Sequence, residues 1–225
     1  LNYVLRYMNF FINTIYSRYQ TNVKQKGELK VKILKGWVLP IAIGLLVGLL
    51  IKTFVFTVVR VDGISMFPNL QDKELVMEIH HAKIKRDSVI VFDAYGVDKR
   101  PDVAKNARYV KRVIALPGDK VEYKNDGTLY VNGKKESQSY ISKKQQKQGT
   151  LNIQEAAVEE QGVALGTGKI ITVPKNSYFV LGDNRAVSND SRYYGFVPKD
   201  KVNGVAKVPF WNDKKDLINS YDKND

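Results

Sequence analysis

The chain has 225 residues, with 36 Lys and Arg against 23 Asp and Glu, a formal net charge of +13 and no cysteine. That length suits one domain of moderate size with an appended segment, and the missing cysteines exclude disulfides, a thiolate nucleophile and any cysteine-ligated metal. Excess positive charge favours an anionic partner. Without zinc-finger spacing, a basic amphipathic helix or an RNA-binding aromatic motif, that partner reads as a phospholipid membrane and not nucleic acid.

At the N-terminus, Asn2, Arg6, Asn9 and Asn13 recur at gaps of four, three and four, with Leu5, Met8, Phe11, Ile12 and Ile15 between them. This spacing predicts a short amphipathic helix lying at a membrane interface, within a basic cytoplasmic segment over 1–36. A frayed hydrophobic tail is the competing reading. Next, "WVLPIAIGLLVGLLIKTFVFTVV", Trp37 to Val59, carries one charge, Lys52. As a helix it would reach roughly 34 Å, enough for a hydrocarbon core of about 30 Å, with Lys52 snorkelling to the nearer interface. Residues 17–36 hold Arg18, Lys24, Lys26, Lys30, Lys32 and Lys35, whereas 60–79 hold only Arg60 and Lys73. The positive-inside bias therefore predicts a single-pass protein of the cell membrane, N-terminus in the cytoplasm and everything after Val59 outside. No A-x-A pattern follows the apolar run, so the segment reads as an anchor.

Beyond Val59 the period becomes strand-like. "LVMEIHH", "SVIVFDAY", "RYVKRVIALPG", "KVEYKNDGTLYVNGK", "KIITVPKNSYFVLGDN" and "KVNGVAKVPF" are short, rich in β-branched residues and punctuated by Gly, Pro, Asn or Asp. They predict a mainly β domain over 60–210, with a hairpin at "NDG", 125–127. The Lys/Gln/Ser-rich stretch within 134–167 reads as a solvated insertion, and 211–225 as a charged tail.

Three stretches carry candidate chemistry. "DGISMFPNL", 62–70, presents Ser65 among apolar side chains just past the anchor. A Ser-His-Asp site is disfavoured, because the two histidines, His80 and His81, are adjacent and would point to opposite faces of a strand. Lysine is the other base available to serine, once burial makes it neutral. In "RYVKRVIALPGD", alternation puts Lys111 on one face with Tyr109, Val113 and Ala115, in a strand that looks buried. Periodicity by itself favours the blander alternative, an edge-strand lysine that deters aggregation. The third stretch, "LGDNRAVSNDSRYYG", 181–195, packs Asp, Arg, Asn and Ser into one polar loop, where ion pairs and hydroxyls could orient an amine.

Together, "SMFPNL", "RDSVIVF", "KRVIALPGD" and "GDNRAVSNDSR", in that order behind an N-terminal anchor, resemble the type I signal peptidases. The resemblance covers roughly residues 37–210 and implies a signal-peptidase-type β-barrel or sandwich catalytic domain tethered by one transmembrane helix. It implies a serine endopeptidase with Ser65 as nucleophile and Lys111 as general base, needing no cofactor or metal. By the same resemblance Ser188 hydrogen-bonds the lysine amine, Asp183 pairs with Arg112, and Asp190 pairs with Arg192. The oxyanion hole would use the backbone N–H of Ser65 and a group at Gly63, which has no side chain to offer. Val61, Met66, Leu70, Tyr109 and Val110 would bind extended substrate. Ile64 and Asn69 depart from the family pattern at positions whose side chains the proton transfers do not need.

The implied partners are secretory preproteins and the membrane, with the enzyme a monomer. Ser65 stands six residues past Val59, so an extended link would hold it within about 20 Å of the bilayer edge. Three rival readings remain: a catalytically inactive, membrane-anchored binding module of the same fold, a self-cleaving Ser/Lys repressor, and an anionic-lipid-binding scaffold.

Overall fold

A computed structural model describes residues 13–18, 34–148 and 169–219. The chain divides into two compact units, residues 1–53 and 54–225.

In the first unit, residues 13–18 are helical, and the rest of the amphipathic segment lies outside the described residues. A π-helical turn, Leu34–Val38, leads into an α-helix, Leu39–Phe54. Its apolar side chains, Ile41, Leu45, Leu46 and Leu49 among them, are exposed. Among the described residues no helix is long and apolar enough to cross a membrane.

The expected helix over 37–59 is therefore corrected at its C-terminal end. Residues Phe56–Arg60 form strand β1, which pairs antiparallel with β2, Leu75–Ile79. Hydropathy alone cannot separate the two fates of "VFTVV". Its β-branched and aromatic residues suit a strand, and β2 supplies the ladder hydrogen bonds that a helix would otherwise provide.

The second unit is built on two antiparallel sheets. β3 (Val89–Asp93), β4 (Arg108–Ala115), β9 (Ser177–Leu181), β10 (Val197–Pro198) and β11 (Val202–Lys207) join the first two strands in the order β1-β2-β11-β3-β4-β9-β10. β5 (Lys120–Tyr123), β6 (Leu129–Val131), β7 (Lys134–Lys135) and β8 (Ile170–Thr172) form the smaller sheet, in the order β7-β6-β5-β8. The expected hairpin joins β5 to β6, and Gly127 takes the positive φ that its turn requires. Every predicted strand stretch contributes to these sheets.

β4 matters most for function. It pairs with β3 along residues 108–112 and with β9 from Arg112 onward, and Lys111 is buried, so the reading of a solvated edge lysine fails. Its pairing with β9 shifts between Val113 and Ala115. Before the shift Val113 packs with Ile90, Phe92 and Val180, and after it Ala115 joins Ile114 in a different cluster. The simple alternation thus holds through Val113 and breaks beyond it, as a bulge dictates.

Two stretches read as solvated are partly folded in. Within the expected polar insertion, Gln138, Tyr140 and Ile141 are buried and a short helix spans Lys143–Gln148, while 149–168 lie outside the described residues. In the expected tail, a helix over Lys215–Ile218 sends the fully buried Ile218 into the cluster of Val61, Met66 and Leu70. Both were hidden because one or two apolar anchors among many charges leave no periodicity to read. Ile218→Ala is expected to lower unfolding stability by about 2–4 kcal/mol in urea melts; a solvated tail would tolerate it unchanged.

Candidate active site

The turn that carries Ser65 is shaped by its own spacing. Residues 64–70 curl into a helix-like turn in which the Asn69 and Leu70 N–H groups donate to the Met66 carbonyl. Met66 and Leu70, four residues apart, fall on one face and are fully buried, while Ile64 and Phe67 face outward. This corrects the expectation that Met66 and Leu70 bind substrate: they anchor the turn in the core beneath it.

The polar loop after β9 holds that turn from the other side. The Asn184 N–H donates to the Ser65 carbonyl at 3.0 Å, and its side-chain amide donates to the Ile64 carbonyl at 3.1 Å. Gly182 packs between Ser65 and Ser188. A Cβ there would sit 2.1 Å from Ser188 Oγ and 2.5 Å from the Ser65 carbonyl, so only glycine lets the two segments approach.

Lys111 completes the site. Its Nζ lies 2.8 Å from Ser65 Oγ and 3.0 Å from the Val110 carbonyl, and the residue is 3% exposed. Burial pushes its pKa down to about 8. Asp190 pulls the other way, Arg192 reinforces burial, and Asp183 and Asp98 oppose it. With the amine neutral, the contact at 2.8 Å reverses in sense, and the serine hydroxyl donates to the nitrogen lone pair. The Val110 carbonyl still holds one amine hydrogen. That geometry can activate a hydroxyl.

Both expected ion pairs are formed. Arg112 Nε and Nη2 donate to the two Asp183 oxygens at 2.9 and 2.8 Å, and Arg112 Nη1 ties down the carbonyls of Asp87 and Leu217. Arg192 Nε and Nη2 grip the two Asp190 oxygens, each at 2.8 Å. Burial alone would raise the Asp190 carboxyl, but Arg192, the Gly182 N–H and the Ser188 hydroxyl hold its pKa below the ordinary range. Asn69, set aside at the sequence level, is 2% exposed and donates to both Asp183 Oδ2 and the Tyr140 carbonyl. It joins the nucleophile's turn to the first ion pair.

Two expected contacts are absent. Lys111 is not bonded to Ser188, whose buried hydroxyl has no partner at normal hydrogen-bond geometry and sits close enough only to influence Asp190. Gly63, at φ +90°, gives its N–H to Asp72 Oδ1 at 2.7 Å and so has none left for a substrate oxyanion. The Ser65 N–H takes no acceptor among the described residues. The histidines stand apart: His80 contacts Thr57 and Glu78, and neither ring lines the groove described next.

Ser65 and Lys111 open onto a groove of about 710 Å³ bordered by residues 59–64 on one side and 106–110 on the other, so Val61, Tyr109 and Val110 all line it. Sequence reasoning missed a buried hub behind the lining residues Arg100, Tyr109 and Asn189. Asp98 accepts from Tyr109 Oη at 2.8 Å, Asn189 Nδ2 at 2.6 Å and Arg100 Nη2 at 2.9 Å. Burial opposes its charge, but Arg100 and Tyr109 hold the carboxyl ionised. The Tyr109 ring is thereby fixed with its centroid 5.0 Å from Lys111 Nζ. Little in the local sequence "YGVDKRP" marks that aspartate beyond Arg100, because Tyr109 and Asn189 lie outside it.

The family described as signal peptidase, peptidase S26, matches residues 34–211. The chain belongs to that family. "Signal peptidase IB" of Staphylococcus aureus (strain Mu50) is 38% identical over 185 residues, covering 80% of this chain and 91% of the relative. "Signal peptidase I" of Bacillus licheniformis is 38% identical over 195 residues, covering 84% and 94%. A crystal structure of a signal peptidase I from Enterococcus faecalis V583 is 36% identical, with TM-score 0.40, over 55% of this chain and 97% of that one. Membership makes this S26 chain a type I signal peptidase by class, a serine endopeptidase and hydrolase.

Because Gly182 separates two segments of this site, Gly182→Ala is expected to cost about 1–3 kcal/mol of stability. It should also depress peptide hydrolysis far more than that loss explains, as the Ser65 turn is pushed away from Lys111. Thermal melts alongside hydrolysis rates at a temperature where the variant is folded would check both.

Proposed function

We propose that this S26 peptidase is a membrane-bound enzyme that removes N-terminal signal peptides from secreted preproteins after small residues, at A-x-A sites, with Ser65 and Lys111 as a dyad. The carrying observation is the contact of 2.8 Å between a buried lysine amine and a hydroxyl at the head of an open groove. The matched relatives, both named signal peptidases, supply the substrate class.

In this mechanism Lys111 takes the proton of Ser65 as Oγ bonds to the scissile carbonyl carbon. The oxyanion meets the Ser65 N–H, with Gly63 excluded as a donor by its bond to Asp72. Collapse breaks the C–N bond, and Lys111 returns the proton to the departing amine. Water then attacks the acyl-enzyme, giving its proton to Lys111, and Ser65 is regenerated as the acyl group leaves as a carboxylate. The substrate lies extended between residues 59–64 and 106–110, where strand addition supplies main-chain hydrogen bonds and Val61 and Val110 supply apolar contact.

Anchoring rests on the exposed apolar helix Leu39–Phe54, extended by the π-turn before it, together with the basic residues that precede it in the sequence. In this reading the N-terminus stays cytoplasmic, and the β domain works on the outer face as a monomer. Ser65 follows the helix at a short remove in the chain, so the nucleophile works near the bilayer in which signal peptides are themselves held.

Three measurements test these claims. In a preprotein cleavage assay Ser65→Ala and Lys111→Ala should each abolish processing while circular dichroism stays unchanged. Because only the neutral amine is a base, wild-type kcat/KM should rise with pH and level off above a midpoint near 8. At pH 6 it should lie about a hundredfold below the plateau. Activity in either variant, or a profile flat from pH 6 to 10, would end the dyad. Separately, the full chain should stay with membranes through alkaline carbonate and be released only by detergent; release by carbonate alone would refute the anchor.

A further inference from the structure

The groove is not electrically neutral in what it offers a substrate. Arg60, Arg100 and Arg108 line it, all three exposed, against a single lining carboxylate, Asp62. Asp62 is already held by Lys73. The acids that answer the arginines are turned into the protein: Asp98 beneath Arg100, and Glu78 at 3.4 Å from Arg108 Nη1, are each 3% exposed. Arg108 also has the half-exposed Asp93 at 3.9 Å from its Nε. The Arg60 side chain makes no hydrogen bond or close ion pair among the described residues, although its charge reaches Asp62 and Lys73. Each guanidinium carries five N–H donors, so even the paired arginines keep hydrogens to offer toward the groove.

We propose that this basic end of the groove sets a charge preference: an acidic substrate side chain about three to five residues from the scissile bond is selected by Arg60, with Arg100 and Arg108 in support. The distance follows from strand geometry. Arg108 precedes Lys111 by three residues on β4, and at about 3.3 Å per residue that places its Cα roughly 10 Å from the dyad. An extended peptide alongside spans the same interval with three residues. An acid there gains charge-assisted hydrogen bonds, and a lysine there meets repulsion in a groove partly screened from water. The inference rests on the peptidase reading above and narrows its substrates by charge.

The test uses the full chain in non-ionic detergent and peptides with an A-x-A site. Glu, Gln or Lys is placed in turn at the third, fourth and fifth residue on each side of the scissile bond. At one position or more, Glu should exceed Lys in kcat/KM by about three- to tenfold, chiefly through KM, as expected for exposed ion pairs. That ratio should shrink toward one as salt is raised from 20 to 500 mM, a readout that needs no variant. Arg60→Glu should invert it. Equal rates for Glu and Lys at every position would overturn the inference while leaving the peptidase reading intact, and would indicate that the arginines face anionic lipid instead. A ratio unmoved by both salt and Arg60→Glu would also overturn it. Failure to cleave even the Gln peptides would instead strike the peptidase reading, and this inference with it.

Discussion

Removing one lysine from water is the constraint on which the rest of the site depends. A solvated lysine near pH 7 is almost wholly protonated and cannot accept the proton of a serine. Burial of Lys111 penalises its ammonium form and brings its pKa to about 8, where an appreciable fraction is a base. Because that penalty comes from exclusion of solvent, it requires the amine to be covered on every side. β3 covers one edge at Lys111 and β9 joins the other from Arg112 onward, while the Ser65 turn and the loop after β9 close over the amine. The seven-stranded sheet thus creates the chemistry as well as supporting it.

Desolvation would achieve little if Ser65 were free to move. Its turn is fastened from below by Met66 and Leu70 in the core, and from the side by Asn184 and the glycine at 182. Asn69 and Tyr140 connect it to Asp183 and Arg112, and Arg112 reaches on to Leu217 near the C-terminus. Residues distant in the chain therefore fix a separation of 2.8 Å. Small displacements matter at such a site, because the proton transfer requires hydrogen-bond contact.

What the sequence disclosed, and what it withheld, follows from the range of the forces involved. Strands announced themselves through alternation and turn residues, which are local signals, and so did the polar loop at 182–192. Ser65, Lys111 and the two acid–arginine pairs came from a resemblance across four segments; periodicity alone favoured a bland role for Lys111. Met66 and Leu70 were legible in principle, since a spacing of four in a turn puts both on one face, but proximity to Ser65 suggested a substrate wall. The end of the helix at Phe54, the buried Ile218 and the hub at Asp98 were not legible. Each depends on a partner from elsewhere in the fold: β2, the Met66–Leu70 cluster, and the Tyr109–Asn189 pair.

The three carboxylates that act on Lys111 explain why burial prevails. Asp183, Asp190 and Asp98 would each raise the lysine pKa, and any one of them left unpaired would favour the ammonium ion that the mechanism must avoid. Each is instead held by an arginine: Arg112, Arg192 and Arg100. From Lys111, each pair is close to a dipole, whose field falls off faster than that of a lone charge. The carboxylates can then order the backbone of the catalytic loop, as Asp190 does through the Gly182 N–H, without returning a proton to the base. Arginine suits this task better than a second lysine, because its guanidinium stays charged when buried and grips both carboxylate oxygens at once. Paired charges therefore supply rigidity, and burial sets the proton affinity of the Lys111 amine, which has no acid of its own.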